Sequence, residues 1–409
     1  MSFSERLAKL QKNHSITQEA APVTQDAVPF EERLRRFRAE SGWTNRISDE
    51  GVAGLLGGTI LADGLILVDR SIPLDLPHGT EPLCSIKSSP VRIFADGEEI
   101  ESSRLLFLDI ETTGLAGGTG TLAFLLGLGR IEDEHFHLRQ FFLTGFKGES
   151  RFLSEAASWL AEAGHLVTFN GKCFDIPVLS ARYRLSRLKD PFSHLGHIDL
   201  LYPTRRAFAK LWPDCRLQTA EQQLLNFMRV DDLPGCLIPR VWCDFVRLGL
   251  VYRVPAILQH NRWDLFTLAA LLGVLSNLYS EPSRVEMDVL CMARALIRSG
   301  DRENAYEHLK NGRKWLGRDG LLELANFHRK RGECREALHI WEELSGKGSL
   351  EAMENLAKYH EHVSADYEGA LRITRLLLDS DETNPNYRKR EERLVRKLSA
   401  ISDHLSAKE

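Results

Sequence analysis

The sequence predicts an α/β fold, a mixed sheet flanked by helices, continued by a C-terminal all-α region of helical repeats. Three observations carry this expectation. Apolar runs of strand length alternate with helical stretches between residues 105 and 279. The first three strands follow one another with no helix between them, which an all-parallel sheet would not permit. Beyond about residue 281 strand patterning stops, and small residues recur with a shift of 32.

Size and composition set the limits. The chain of 409 residues is long enough for two or three domains, with 43% hydrophobic and 27% charged residues. That balance excludes disordered and collagenous classes. Fifty-three Lys+Arg against 57 Asp+Glu leave −4, so a nucleic-acid contact would need a local basic surface. No apolar run reaches the roughly 18 residues of a membrane span, and the start, MSFSERLAKLQKNHS, lacks a secretory apolar stretch. Seven scattered cysteines without a C-x-x-C pair fit neither a zinc ribbon nor a disulfide framework. Reduced thiols and a cytoplasmic location are the expectation.

Residues 1–28 are polar, broken by Pro22 and closed by Pro29, and read as a mobile segment. Residues 29–103 read as a helix (FEERLRRFRAE) plus a β-rich annex. Its hairpin, TILA-DG-LILVD, would turn at Asp63-Gly64 in a type I′ turn. Residues 104–282 form the α/β domain. LLFLDIE, LAFLLGLGRI and HFHLRQFFLT are strands; SRFLSEAASWLAEAG is a helix capped by Gly164. HLVTFNG is a strand, FDIPVLSARYRLSR a helix with Pro177 in its first turn, and HIDLL a strand before further helices. In residues 283–400, Ala293, Gly300 and Ala305 recur as Ala325, Gly332 and Ala337, and more weakly as Ala357, Ala365 and Ala370. Small residues at these places let paired helices approach, in the manner of tetratricopeptide repeats.

The chemistry concentrates in three places. In LLFLDIETTGL an apolar strand ends in Asp109 and Glu111, which period two puts on one face. Two adjacent carboxylates on a buried strand repel each other and persist most easily around a cation, and oxygen ligands suit Mg²⁺ or Mn²⁺. In FNGKCFD a strand ends at Asn170 and Asp175 opens a helix, where an acid also complements the helix dipole. In HNRWD, His260 and Asp264 are i and i+4 on one helix face, with Asp264 read as an acid preceding an apolar helix.

In order, D-x-E, N-x-x-x-F-D and H-N-x-x-D resemble the three exonuclease motifs of the DEDD (DnaQ-like) superfamily. More closely, DIETTGL with HNRWD resembles the YprB-type ribonuclease-H-like domain over roughly residues 100–280. The resemblance implies a ribonuclease-H-like fold and two-metal 3′–5′ exonuclease chemistry on single-stranded DNA or RNA. It implies that Asp109, Glu111, Asp175 and Asp264 hold two Mg²⁺ or Mn²⁺ ions about 4 Å apart. His260 matches the residue that positions or deprotonates the attacking water. The larger subgroups have Tyr in Y-x-x-x-D or His in H-x-x-x-x-D; this chain puts His at the Tyr spacing.

Around these, Thr112, Thr113 and Leu115 follow the first motif into a glycine-rich turn where a nucleotide 3′ end could approach. Asn170, Arg205 and Arg206 are candidate substrate contacts, with Lys210 beside them. Asp199 is a candidate support to the metal ligands, His194 and His197 read as surface or loop residues, and Cys173 reads as packing. The rival class is a nucleic-acid-binding or adaptor protein that keeps the fold with little turnover, its repeats binding a protein partner.

Overall fold

A computed structural model describes residues 47–95, 97–114, 120–281 and 286–406. The expected mobile segment at 1–28, the helix at 30–40 and Leu115 lie outside the described residues.

The chain enters through α1 (Asp49–Leu56) and the hairpin β1 (Thr59–Ala62) and β2 (Leu65–Pro73). Two short strands follow, β3 (Pro77–His78) and β4 (Glu81–Pro82). Then come β5 (Leu105–Thr112), β6 (Ala123–Glu132) and β7 (His135–Leu143), with α2 (Glu149–Glu162) leading to β8 (His165–Thr168). Helix α3 (Asp175–Leu185), β9 (Gly196–Asp199) and α4 (Leu201–Phe208) follow. The short α5 (Leu217–Ala220) runs into one π turn at Glu221–Leu225, ahead of α6 (Ile238–Leu248) and α7 (Val254–Ser280).

Seven strands form one sheet in the order β1-β2-β7-β6-β5-β8-β9. β5 pairs antiparallel with β6 and parallel with β8, so the sheet is mixed, as the succession of three strands requires. The hairpin at residues 59–73 pairs along the whole of β7. It therefore extends the sheet across the expected boundary at 103/104 and does not stand apart as an annex. Its turn also differs from type I′, because Gly64 (φ 82) has positive φ and Asp63 does not. Helix α2 ends on an extended Ala163, not on a left-handed Gly164.

β5 has both faces covered, and its buried pattern is broken only at Asp109 and Glu111. These share a face with Leu105 and Phe107, and α7 packs across that face, its Phe266 reaching Phe136, which in turn meets Phe107. Close approach of α7 needs a bare strand. Gly127 stands opposite Asp109 on β6, and a Cβ there would lie 2.2 Å from Asn261 Oδ1.

The C-terminal region contains α8 (Val289–Arg298), α9 (Arg302–Asn311), α10 (Arg318–Lys330), α11 (Cys334–Gly346), α12 (Leu350–His362), α13 (Tyr367–Ser380) and α14 (Pro385–Ser406). Ala293, Ala305, Ala325, Ala337 and Ala370 are fully buried between successive helices. Gly300 (φ 89) and Gly332 (φ 80) occupy the left-handed turns that a Cβ would strain. One apolar cluster runs from Phe107 and Leu265 through Met292 and Tyr306 to Leu356, so sheet and helices share a core.

Candidate active site

Asp109 and Glu111 leave the carboxyl end of β5 on the face covered by α7. Asp175 is the first residue of α3 and is buried. His260 and Asp264 are both buried within α7, well past its first turn, so the reading of Asp264 as an acid ahead of its helix is corrected. His260 Nε2 lies 3.5 Å from Asp264 Oδ2 and 4.0 Å from Glu111 Oε1. One ligand atom each from Glu111, His260 and Asp264 falls within 4.8 Å of the others.

The acids share one field. Burial, then Asp264, Glu111 and Asp175, push the Asp109 carboxyl well above the carboxylate range. Burial, then Asp264 and Asp175, do the same to Glu111. Burial pushes Asp175 up to about 7, although the backbone amides of Asp175 and Ile110 donate to it and work the other way.

Asp109 is held directly and Asp175 through the turn before it. Asn261 Nδ2 donates to Asp109 Oδ2 at 2.8 Å, while Gln140 Nε2 donates to Asn261 Oδ1 at 2.8 Å. Asp199 accepts from the backbone N–H of Asn170 (2.7 Å), Lys172 (3.0 Å) and Leu201 (3.1 Å). It thereby fixes the turn ahead of Asp175, with Asn170 left-handed at φ 68. Asp199 thus supports the acid through the backbone.

A loop after the π turn brings in residues the sequence did not announce. Asp232 Oδ1 lies 2.8 Å from His260 Nδ1, which makes Nδ1–H the donor and turns Nε2 toward the acids. The buried Arg229 guanidinium donates to Asp264 and bonds Glu221 at 2.5 Å, with Asp232 at 3.3 Å. Burial works to lower the Arg229 pKa, but Asp264 and Glu221 outweigh it and hold the group firmly charged. Thr267 Oγ1 donates to Glu221 and accepts from His78 Nε2 at 2.7 Å. Burial, helped by Arg229, holds His78 down to about 4, hence neutral. A chain of hydrogen bonds therefore runs from β3 to Asp264.

A profile of the RNase_H superfamily matches residues 106–276. A protein of Bacillus subtilis (strain 168) named YprB, described as uncharacterized, is 30% identical over 318 residues, covering 73% of this chain and 76% of the relative. The chain belongs to the YprB family. The superfamily domain supports a nucleic-acid-related hydrolase and spans every residue from Asp109 to Asp264.

In this YprB-family chain the structure brings Asp109, Glu111, Asp175, His260 and Asp264 together. The other expected contacts are distributed around them. Thr112 Oγ1 donates to Gly114 O at 2.9 Å and Thr113 Oγ1 accepts from Leu122 N at 3.1 Å, so both hydroxyls serve the turn. Asn170 and Arg205 are exposed and Arg206 is half-buried, while Lys210 pairs with Asp288 at 2.6 Å. Cys173 is exposed, 3.4 Å from the Tyr202 hydroxyl, so its reading as packing is corrected. His197 is half-buried and bonded to Thr168 Oγ1 at 2.8 Å, unlike the exposed His194.

Missed altogether were Arg229, Asp232, Glu221 and His78. No spacing rule links 78, 221 and 229 to residues 260–264; only the fold does. Asn261 lay inside the HNRWD motif, and its neighbours were the signal.

The donor set fits a hard divalent cation. The acids are clustered, buried or half-buried, and mutually repulsive, and the oxygen-rich chemistry suits Mg²⁺ or Mn²⁺. Among the described residues no helix is long and apolar enough to cross a membrane.

Proposed function

We propose that the protein is a divalent-metal-dependent 3′–5′ exonuclease hydrolysing phosphodiester bonds in single-stranded DNA or RNA. The observation that carries this reading is the convergence of Asp109, Glu111, Asp175 and Asp264 on one buried cluster faced by His260 Nε2. Two Mg²⁺ or Mn²⁺ ions, when bound, supply activation of water and neutralisation of charge on the leaving 3′ oxygen. The four carboxylates hold those ions. Asn261 fixes Asp109, and Asp199 fixes the turn that presents Asp175. His260, its Nδ1–H committed to Asp232, offers Nε2 to orient the attacking water or take its proton. Arg229 holds Asp264 from behind.

The reading also takes the C-terminal helices as tetratricopeptide-like pairs. The buried alanines and left-handed glycines at matching repeat positions support it.

The test is incubation with 5′-end-labelled single strands in Mn²⁺, Mg²⁺ or chelator. A metal-dependent ladder shortening from the 3′ end is the expected result. No nucleotide release, or full activity in Glu111→Gln, overturns the reading.

A second reading, a nucleic-acid-binding protein without turnover, is favoured by one observation: Arg229 already bonds Asp264. Strand binding without release at saturating Mn²⁺ would select it.

A further inference from the structure

An open cavity of about 500 Å³ lies between the end of β9, the start of α4 and helix α8 of the C-terminal region. We propose that it binds the phosphate backbone of the single-stranded nucleic acid, so that the C-terminal helices form part of the substrate path. This rests on the nuclease reading above and extends it to where the strand lies.

The cavity collects positive charge from three separate elements. Lys172 comes from the turn before Asp175, Arg206 from α4 and Arg298 from the last turn of α8. None has an ion-pair partner among the described residues. The cavity's one acid, Asp199, accepts from three backbone N–H groups through its two carboxylate oxygens. Three like charges lining one open cavity, in a chain of net charge −4, make a local basic surface of the kind that attracts an anion. The walls add a ring. Tyr202 is 36% exposed, with Lys172 Nζ 5.9 Å from its ring centre, the pairing of cation and aromatic that holds a phosphate and stacks a base.

Position ties the cavity to the cluster. Lys172 lies three residues before Asp175, and the same Asp199 that lines the cavity fixes the turn between them. A strand with its 3′ end among the acids and its backbone over this turn would pass from the sheet onto α8. Arg298 is the residue that only this path would recruit, because it lies outside the 106–276 superfamily match.

Binding of a fluorescein-labelled single strand is measured by anisotropy in chelator, comparing wild type, Lys172→Ala and Arg298→Ala across a salt series. Each substitution should weaken binding roughly tenfold, as for loss of a charge-assisted hydrogen bond. The slope of log affinity against log salt should fall by about 0.7 per lost phosphate contact. Unchanged thermal midpoints establish that the variants are folded. Inorganic phosphate should displace the strand more effectively than chloride at equal ionic strength, as a competitor that shares the phosphate group of the backbone. Phosphate displacing the strand no better than chloride would show that these residues do not grip phosphate groups and would overturn the assignment. Wild-type affinity and slope in Arg298→Ala, or no strand binding by wild type at low salt, also overturn it. Mn²⁺-dependent hydrolysis of bis(4-nitrophenyl) phosphate by the wild-type protein tests the acid cluster separately, since that small diester needs no extended path.

Discussion

Asp232 holds the His260 imidazole by its Nδ1, 2.8 Å away, and so determines that Nε2 is the nitrogen turned toward Glu111 and Asp264. Exchanging that carboxylate for an amide, which can donate as well as accept, lets the ring change tautomer. Asp232→Asn should lower the single-turnover rate by about 10–100-fold, the usual effect of losing an orienting carboxylate. Combined with His260→Ala it should cost little more than His260→Ala alone, because both act on one group. Additive losses would show that Asp232 acts elsewhere.

His260 itself stands closer to the chemistry. If it orients or deprotonates the water, His260→Ala loses on the order of 10² to 10⁴ in rate. His260→Tyr places at this spacing the residue of the Y-x-x-x-D subgroup and should retain more activity than Ala. Near-wild-type rates in His260→Ala would remove the imidazole from the mechanism.

Repulsion within the acid cluster weakens the metal-free fold. Glu111→Gln should raise its thermal midpoint in chelator by a few degrees, roughly 1 kcal/mol, by replacing a carboxyl whose anion burial first, and its acidic neighbours next, disfavour. Adding Mn²⁺ should then stabilise wild type and leave Glu111→Gln nearly unmoved. Equal metal-induced shifts in the two proteins would place the cation somewhere else.

Glu361 on α12 is buried and held by Arg393 at 2.5 Å, by Lys397 at 3.1 Å and by Arg390, all on α14. The Arg393 hydrogen bond leads in holding its carboxyl down to about 2, from an ordinary 4.5. A depressed acid stabilises above its unfolded value, and that contribution disappears as pH falls from 4.5 toward 2. Glu361→Gln should therefore be less stable at pH 7 by about 1–3 kcal/mol, and the gap in thermal midpoint should close on acidification. A gap that is constant with pH would disprove the charge-based account.

Cutting the chain at residue 282 should expose apolar surface. His308 Nε2 bonds Tyr279 O at 3.0 Å, and the Asp288 N–H donates to Ala207 O at 2.7 Å, so α8 and α9 are fastened to α4 and α7 over a shared core. A 1–282 fragment should aggregate or lose on the order of 10 °C in thermal midpoint. A soluble fragment of undiminished stability would mean that the helices are a separable module.

Much of this was legible because it is local. Period two placed Asp109 and Glu111 together, a helical interval placed His260 over Asp264, and the recurrence of Gly300 at Gly332 marked the helix turns. What was hidden depends on long-range packing. Arg229 and Asp232 lie in an irregular loop with no periodicity, and their meeting with α7 follows from the π turn at Glu221–Leu225 and the left-handed Asn226. The start of α7 was misplaced because polar His260, Asn261 and Asp264 interrupt its apolar pattern, though all three are buried. The hairpin at 59–73 was set apart because strand partnership is not written in a strand's own composition.

The hydrogen-bond chain ending at His78 gives the machine a different border from the ancestry. The superfamily match begins at residue 106, yet the imidazole that anchors Thr267, and through it Glu221 and Arg229, stands 28 residues earlier in the chain. A gene segment exchanged or excised at the boundaries of the inherited domain would carry all the acids and leave behind part of what aims them. The unit that recombination could move intact is larger than the unit that sequence kinship outlines.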